Sequence, residues 1–79
     1  MTVQILGSGC AKCQQLEKNA KQAIARLGLS ATVAKVKDMD QIVEMGVMVT
    51  PALAVDGTVK KAGVVLSVDQ IVQILKGGA

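Results

Sequence analysis

Hydrophobic positions along the chain switch between two spacings. Val3-Gln4-Ile5-Leu6 is a short apolar run closed by Gly7-Ser8-Gly9, and a short apolar run ended by turn residues reads as a strand. From Ala11 to Leu27 the pattern changes: Cys13, Leu16, Ala20, Ile24 and Leu27 recur at three- and four-residue spacing, which predicts a helix with one apolar face. Lys12, Gln15, Lys18, Gln22 and Arg26 fall mostly on the opposite face. Glu17 and Lys21 form an i,i+4 pair in the favourable order, and Gly28 is a helix stop. Ala31–Val36 reads as a second strand. Asp38-Met39-Asp40-Gln41 has the form of a capping box, which predicts a short helix to Met45 closed by Gly46. Val47–Thr50 is expected to be extended and leads through Pro51 into a third strand, Ala52–Val55. Asp56-Gly57 is a two-residue hairpin signal that returns the chain along Thr58–Lys61. Ser67-Val68-Asp69-Gln70 is a second capping box. The helix it opens has Val68, Ile71, Ile74 and Leu75 as its apolar stripe, and Gly77-Gly78-Ala79 is expected to fray.

The predicted order is therefore β-α-β-α-β-β-α. A right-handed crossover makes the first two strands parallel, and the hairpin makes the last two antiparallel. With 79 residues, one α/β domain over residues 1–79 is expected. No repeat, linker or low-complexity stretch divides it.

Composition narrows the picture. The chain has no Phe, Tyr or Trp although half its residues are hydrophobic, so its core must be built from Val, Leu, Ile, Ala and Met. The net charge of +3 is spread along the chain, with Lys60-Lys61 the longest basic run. Without aromatic platforms or a dense basic face, nucleic-acid binding is not expected. No run of about 18 apolar residues exists to span a membrane. Residues 1–7 lack a basic region and a long apolar stretch, so no signal peptide is read there and a cytoplasmic location is expected.

The candidate chemistry sits in Cys10-Ala11-Lys12-Cys13. A CxxC at the start of a helix brings both thiols to one side of the first turn, at a Cα separation of about 5.5 Å that suits a disulfide. Cys10 falls where unpaired backbone N–H groups and the positive end of the helix dipole favour an anion. Its thiolate is expected to form more readily than that of a free cysteine, with Lys12 adding a nearby positive charge. Cys13 lies one turn further in, on the apolar face, and is expected to be the resolving thiol. These roles predict attack of Cys10 on a substrate disulfide, followed by displacement by Cys13 to leave a Cys10–Cys13 bond. There is no His in the chain, so neither a His base nor a self-contained four-ligand zinc site is available. No metal and no cofactor other than the cysteine pair is expected.

The lone proline supplies a second motif. Pro51 follows Thr50 at the head of a strand expected to lie beside the first. CxxC after the first strand, Thr-Pro opening the third, and a closing hairpin and helix together resemble the thioredoxin superfamily. More narrowly, the chain is similar to its small, glutaredoxin-sized redox-active disulfide proteins, particularly over Gly46-Val47-Met48-Val49-Thr50-Pro51-Ala52-Leu53. The resemblance implies a minimal thioredoxin-like fold: a four-stranded mixed sheet in the order 2-1-3-4, flanked by three helices. It also implies that Pro51 is cis, that the backbone of Thr50 pairs with substrate, and that Gly63 faces the site unless it is a plain turn glycine. Met48 is read either as an apolar contact near the site or as a core residue.

The activity so implied is thiol–disulfide oxidoreduction on a protein or small-molecule disulfide, by a monomer. No glutathione-binding set is found in the sequence, so the expected electron donor is a thioredoxin-reductase-like flavoprotein. An alternative is a Cu(I) chaperone of ferredoxin-like fold, since CxxC thiolates also bind soft metals. That fold would continue β-α-β-β-α-β, whereas here a capped helix follows the second strand and another ends the chain.

Overall fold

β-Branched and aliphatic runs become strands here, and the 3.6-residue stripes become helices packed over them. The computed structural model describes residues 1–78, in which β1 (Thr2–Leu6), α1 (Ala11–Leu27), β2 (Thr32–Val36), α2 (Met39–Glu44), β3 (Ala52–Val55), β4 (Thr58–Ala62) and α3 (Val68–Gln73) follow one another. The four strands form one sheet in the order β2-β1-β3-β4. β1 is parallel to β2 and antiparallel to β3, and β3 is antiparallel to β4 with a bulge between Leu53 and Ala54. The topology is the minimal thioredoxin-like one; the ferredoxin-like order, with a strand at its end, is not adopted.

Strand alternation sends the two faces of the central strands into two cores. Val3 and Ile5 of β1 and Leu53 of β3 pack with Leu16, Ala20, Ala23 and Ile24 of α1 and Ile71 and Val72 of α3. Leu6, Ala52 and Ala54 point the other way and pack with Ile42 of α2 and with Val47. Four of these residues, Ala20, Ala23, Ala52 and Ala54, are small, which lets helices lie close to the sheet without aromatic filler. Gly28 ends α1 in the left-handed conformation, φ 66°, where a Cβ would be strained.

The helix ends follow their caps. Ser67 and Gln70 form the complete capping box: the Ser67 hydroxyl accepts from Gln70 N at 3.1 Å and Gln70 Oε1 from Ser67 N at 2.9 Å. The box expected at Asp38–Gln41 does not close. Asp38 accepts from Asp40 N at 2.9 Å instead, a position equally open to an N-cap carboxylate. Val47–Thr50 also departs from the extended run expected of it: it is irregular and bends at Val49 and Thr50, because Pro51 must be delivered to the head of β3. At the other end, α3 runs into a wider turn over Ile74–Gly78 that leaves the helical conformation at Gly77, φ 82°, where the end expected to fray begins; Ala79 lies outside the described residues.

The hairpin turn is tied down at its tip. Asp56 and Gly57 take φ 50° and 85°, the two positive values a tight primed turn requires. Thr2 N donates to Asp56 Oδ1, and Gly57 N to Gln4 Oε1, each at 2.8 Å. The opposite end of β1, at Gly7, is left for the cysteines.

Candidate active site

β1 runs out at Leu6, and Gly7-Ser8-Gly9 carries the chain over the edge of the sheet into α1. Gly9 makes that turn at φ 93°. Cys10 follows as the N-cap of α1, with φ −69° and ψ 175° and no side-chain capping bond. Its carbonyl accepts from Gln14 N at 2.9 Å, and Gln14 Nε2 donates to Gly9 O at 3.0 Å. The turn is thus fastened to the first turn of the helix, while the Cys10 sulfur remains exposed.

Cys13 is 4 % exposed and lies on the apolar side of α1. Its Sγ is 3.2 Å from Cys10 Sγ, with both cysteines as free thiols. The pair is thus one accessible sulfur above one covered sulfur. Cys10 is held below the usual thiol pKa. The largest cause is the backbone N–H of Cys13, followed by the Cys13 thiol. Partial loss of solvation opposes them, and the backbone N–H groups of Lys12 and of Cys10 itself add to the lowering. Each donor favours the charged form. No acidic residue stands in the first turn of α1 to oppose an anion. The backbone amide of Lys12 faces the thiolate, and its side chain is exposed.

Thr50 and Pro51 come to the same place. Their peptide bond is cis, Pro51 is buried, and Pro51 O accepts from Gly63 N at 2.9 Å. A Cβ placed on Gly7 would lie 3.7 Å from Thr50 Cβ and would overlap Cys13 Sγ. Gly7 is therefore the wedge-thin point where the cysteine loop and the Thr50-Pro51 loop meet. Gly63 turns at φ 81°, as the plain-turn reading has it, and a Cβ added there would lie 3.1 Å from Val49 Cγ1. Met48 is 85 % exposed, which removes the core reading.

Sequence spacing missed a cavity of about 70 Å³ beside Cys13, with Gly7, Gln14, Glu17, Lys35 and Lys37 among its lining residues. Glu17 Oε2 is 3.2 Å from Lys21 Nζ and Glu17 Oε1 3.9 Å from Lys35 Nζ. The i,i+4 pattern revealed the Lys21 contact; the Lys35 contact depends on α1 crossing β2, which leaves no local signal. No cluster of metal-ligating side chains occurs among the described residues.

This arrangement can be set beside known proteins. A family model described as a thioredoxin domain matches residues 1–76. The chain belongs to the thioredoxin family. It is 52% identical over 75 residues to a thioredoxin of Methanothermobacter thermautotrophicus, an alignment covering 95% of this chain and 97% of that protein. It is 40% identical over 76 residues to a thioredoxin of Methanocaldococcus jannaschii, covering 96% of this chain and 87% of that one. As a thioredoxin-family protein with its two cysteines in contact distance, the chain is a disulfide oxidoreductase.

Proposed function

We propose that the protein reduces or exchanges disulfides through a Cys10–Cys13 dithiol, with Cys10 as nucleophile and Cys13 as resolving thiol. The observation that carries this reading is the asymmetry of the pair: sulfurs 3.2 Å apart, one exposed with a lowered pKa and one covered. Cys10 thiolate attacks one sulfur of the substrate disulfide, and the other sulfur leaves as a thiolate and takes up a proton. Cys13 then gives up its proton and attacks Cys10 Sγ. The mixed disulfide breaks, the second substrate thiolate leaves, and the Cys10–Cys13 bond holds the two electrons' worth of oxidation. The dithiol itself is the redox group, so the reading needs no bound cofactor.

Thr50 supplies the substrate contact. Its position at the head of β3, against Gly7 and hence beside the cysteines, suits a backbone that adds an extended substrate segment as a further strand. The exposed apolar side chains of Met48, Val49 and Val64 flank this loop and fit a protein substrate. The oxidised form is returned to the dithiol by a thioredoxin-reductase-like flavoprotein, in the reducing cytosol and with the protein as a monomeric single domain.

A redox titration of the purified protein, with free thiols counted by alkylation and mass at each potential and Cu(I) binding assayed alongside, tests the reading. A reversible two-electron transition confined to Cys10 and Cys13 is expected, with Cys10 labelled first by limiting reagent. Absence of an intramolecular disulfide, together with stoichiometric Cu(I) binding, would instead favour the soft-metal chaperone.

A further inference from the structure

Gly7 differs from Gly9, Gly28, Gly46, Gly57, Gly63 and Gly77, which all take positive φ. Gly28, Gly46 and Gly57 take positive φ and face open space, so their backbone conformation explains them. Gly7 takes no such angle, and what surrounds it is full. A Cβ there would overlap Cys13 Sγ, with Cys13 Cβ at 3.5 Å and Thr50 Cβ at 3.7 Å. Only the sulfur is too close; the two carbons are at ordinary contact distance.

We propose that Gly7 is a positioning residue for the resolving thiol: its missing side chain leaves the space in which Cys13 Sγ points at Cys10 Sγ. The inference rests on the dithiol reading above. Neither neighbour has much freedom to retreat. Gly7 N donates to Val36 O at 3.0 Å and so continues the β1–β2 ladder, and β1 is paired on both sides. The helix bearing Cys13 is seated in the core by Leu16 and Ala20. The softest adjustment to a methyl at position 7 is rotation of the Cys13 side chain about χ1, because staggered alternatives to a Cys rotamer are available at small cost. That rotation carries the sulfur away from Cys10. The resolving step forms the Cys13–Cys10 S–S bond, breaks the bond between Cys10 and the substrate sulfur, and releases the substrate thiolate. It needs three sulfurs nearly in line, so displacing the attacking one lowers its rate. The first attack is made by Cys10, which loses only the Cys13 thiol among the several donors that favour its thiolate, and so it slows far less.

The test is stopped-flow reaction of the reduced protein with dithiobis(nitrobenzoic acid). Its first thionitrobenzoate is released by Cys10 in a step dependent on reagent concentration, and its second by Cys13 in a step independent of it. Gly7→Ala is expected to lower the first rate by no more than loss of the same thiol donor does in Cys13→Ala, and to slow the second about 10- to 100-fold, the range associated with a misplacement of about 1 Å. In a Cys13→Ala background the colliding sulfur is gone. There, adding Gly7→Ala is expected to change neither the first rate nor the urea midpoint. A second release at the native rate in Gly7→Ala overturns the proposal. So does an equal loss of folding in both backgrounds, which would mean that the methyl disturbs the backbone and not the thiol. Folding lost in Gly7→Ala and retained in Gly7→Ala/Cys13→Ala supports it. A native protein that gives no second release would fail the dithiol reading itself, before Gly7 enters.

Discussion

At the scale of single residues, the chemistry depends on how three backbone amides and a neighbouring thiol treat a negative charge on Cys10. Cys10 is exposed, so its lowered pKa comes from donors aimed at the sulfur and not from burial, with the backbone N–H of Cys13 first and its thiol second. The sign follows: a lowered pKa means a larger thiolate fraction at neutral pH, and a reaction rate that falls off below the depressed pKa, not below the ordinary thiol value of about 8.5. The pH profile of Cys10 alkylation by iodoacetamide is expected to have its midpoint below that value. Cys13→Ala removes the second-ranked donor and keeps the first, so the midpoint is expected to rise part of the way and stop short of a free thiol. A midpoint in Cys13→Ala equal to that of the native protein would mean that the sulfur–sulfur contact contributes nothing. These two cysteines were legible from spacing alone. Gly7, Glu17 and Lys35 were not, because their relation to Cys13 is made across strands and loops and has no fixed offset along the chain.

At the scale of elements, α1 starts at a residue whose side chain does not cap it. Cys10 makes no side-chain capping bond, whereas Ser67 and Asp38 both cap their helices. Serine is a favoured N-cap, and its hydroxyl is close in size to a thiol. Cys10→Ser is therefore expected to abolish disulfide exchange while leaving the reduced protein at least as stable in urea unfolding near pH 6. A loss above about 1 kcal/mol would show that Cys10 contributes to stability in a way a cap does not. Ser67→Ala, by contrast, removes one hydroxyl acceptor and half of a reciprocal box, and is expected to cost about 1 kcal/mol in the same measurement. Asp38 shows how far pattern carries. The spacing to Gln41 was right for a box and the helix formed where expected, but the carboxylate selected the nearer amide of Asp40. Both choices satisfy an orphan donor, and the local motif does not discriminate between them.

At the scale of the whole molecule, a single sheet separates two cores, and both are small. A chain of 79 residues is expected to be stable by about 4–12 kcal/mol at the usual 0.05–0.15 per residue. Leu53 is fully buried on the α1–α3 side of β3, in contact with the larger core, and sits two residues after Pro51. Leu53→Ala is expected to cost about 2–5 kcal/mol, a large share of the total. Urea unfolding followed by circular dichroism should show the midpoint falling steeply. A shift under 1 kcal/mol would mean that the sheet closes over the cavity more easily than its all-aliphatic packing suggests.

The sequence by itself determined the order of elements, both hairpin and helix signals, the neighbouring cysteine pair and the family. Each of these is written in offsets of one to four residues, where backbone geometry alone decides what meets what. Tertiary structure decided the rest. It folded Val47–Thr50 into a bent loop to bring Pro51 to the head of β3, set the Lys12 backbone amide against Cys10, and exposed Met48. It also set Gly7 against the sulfur of Cys13. These outcomes depend on strands β1, β2 and β3 lying side by side in one sheet, and contacts between segments tens of residues apart are settled by packing, which no local pattern encodes.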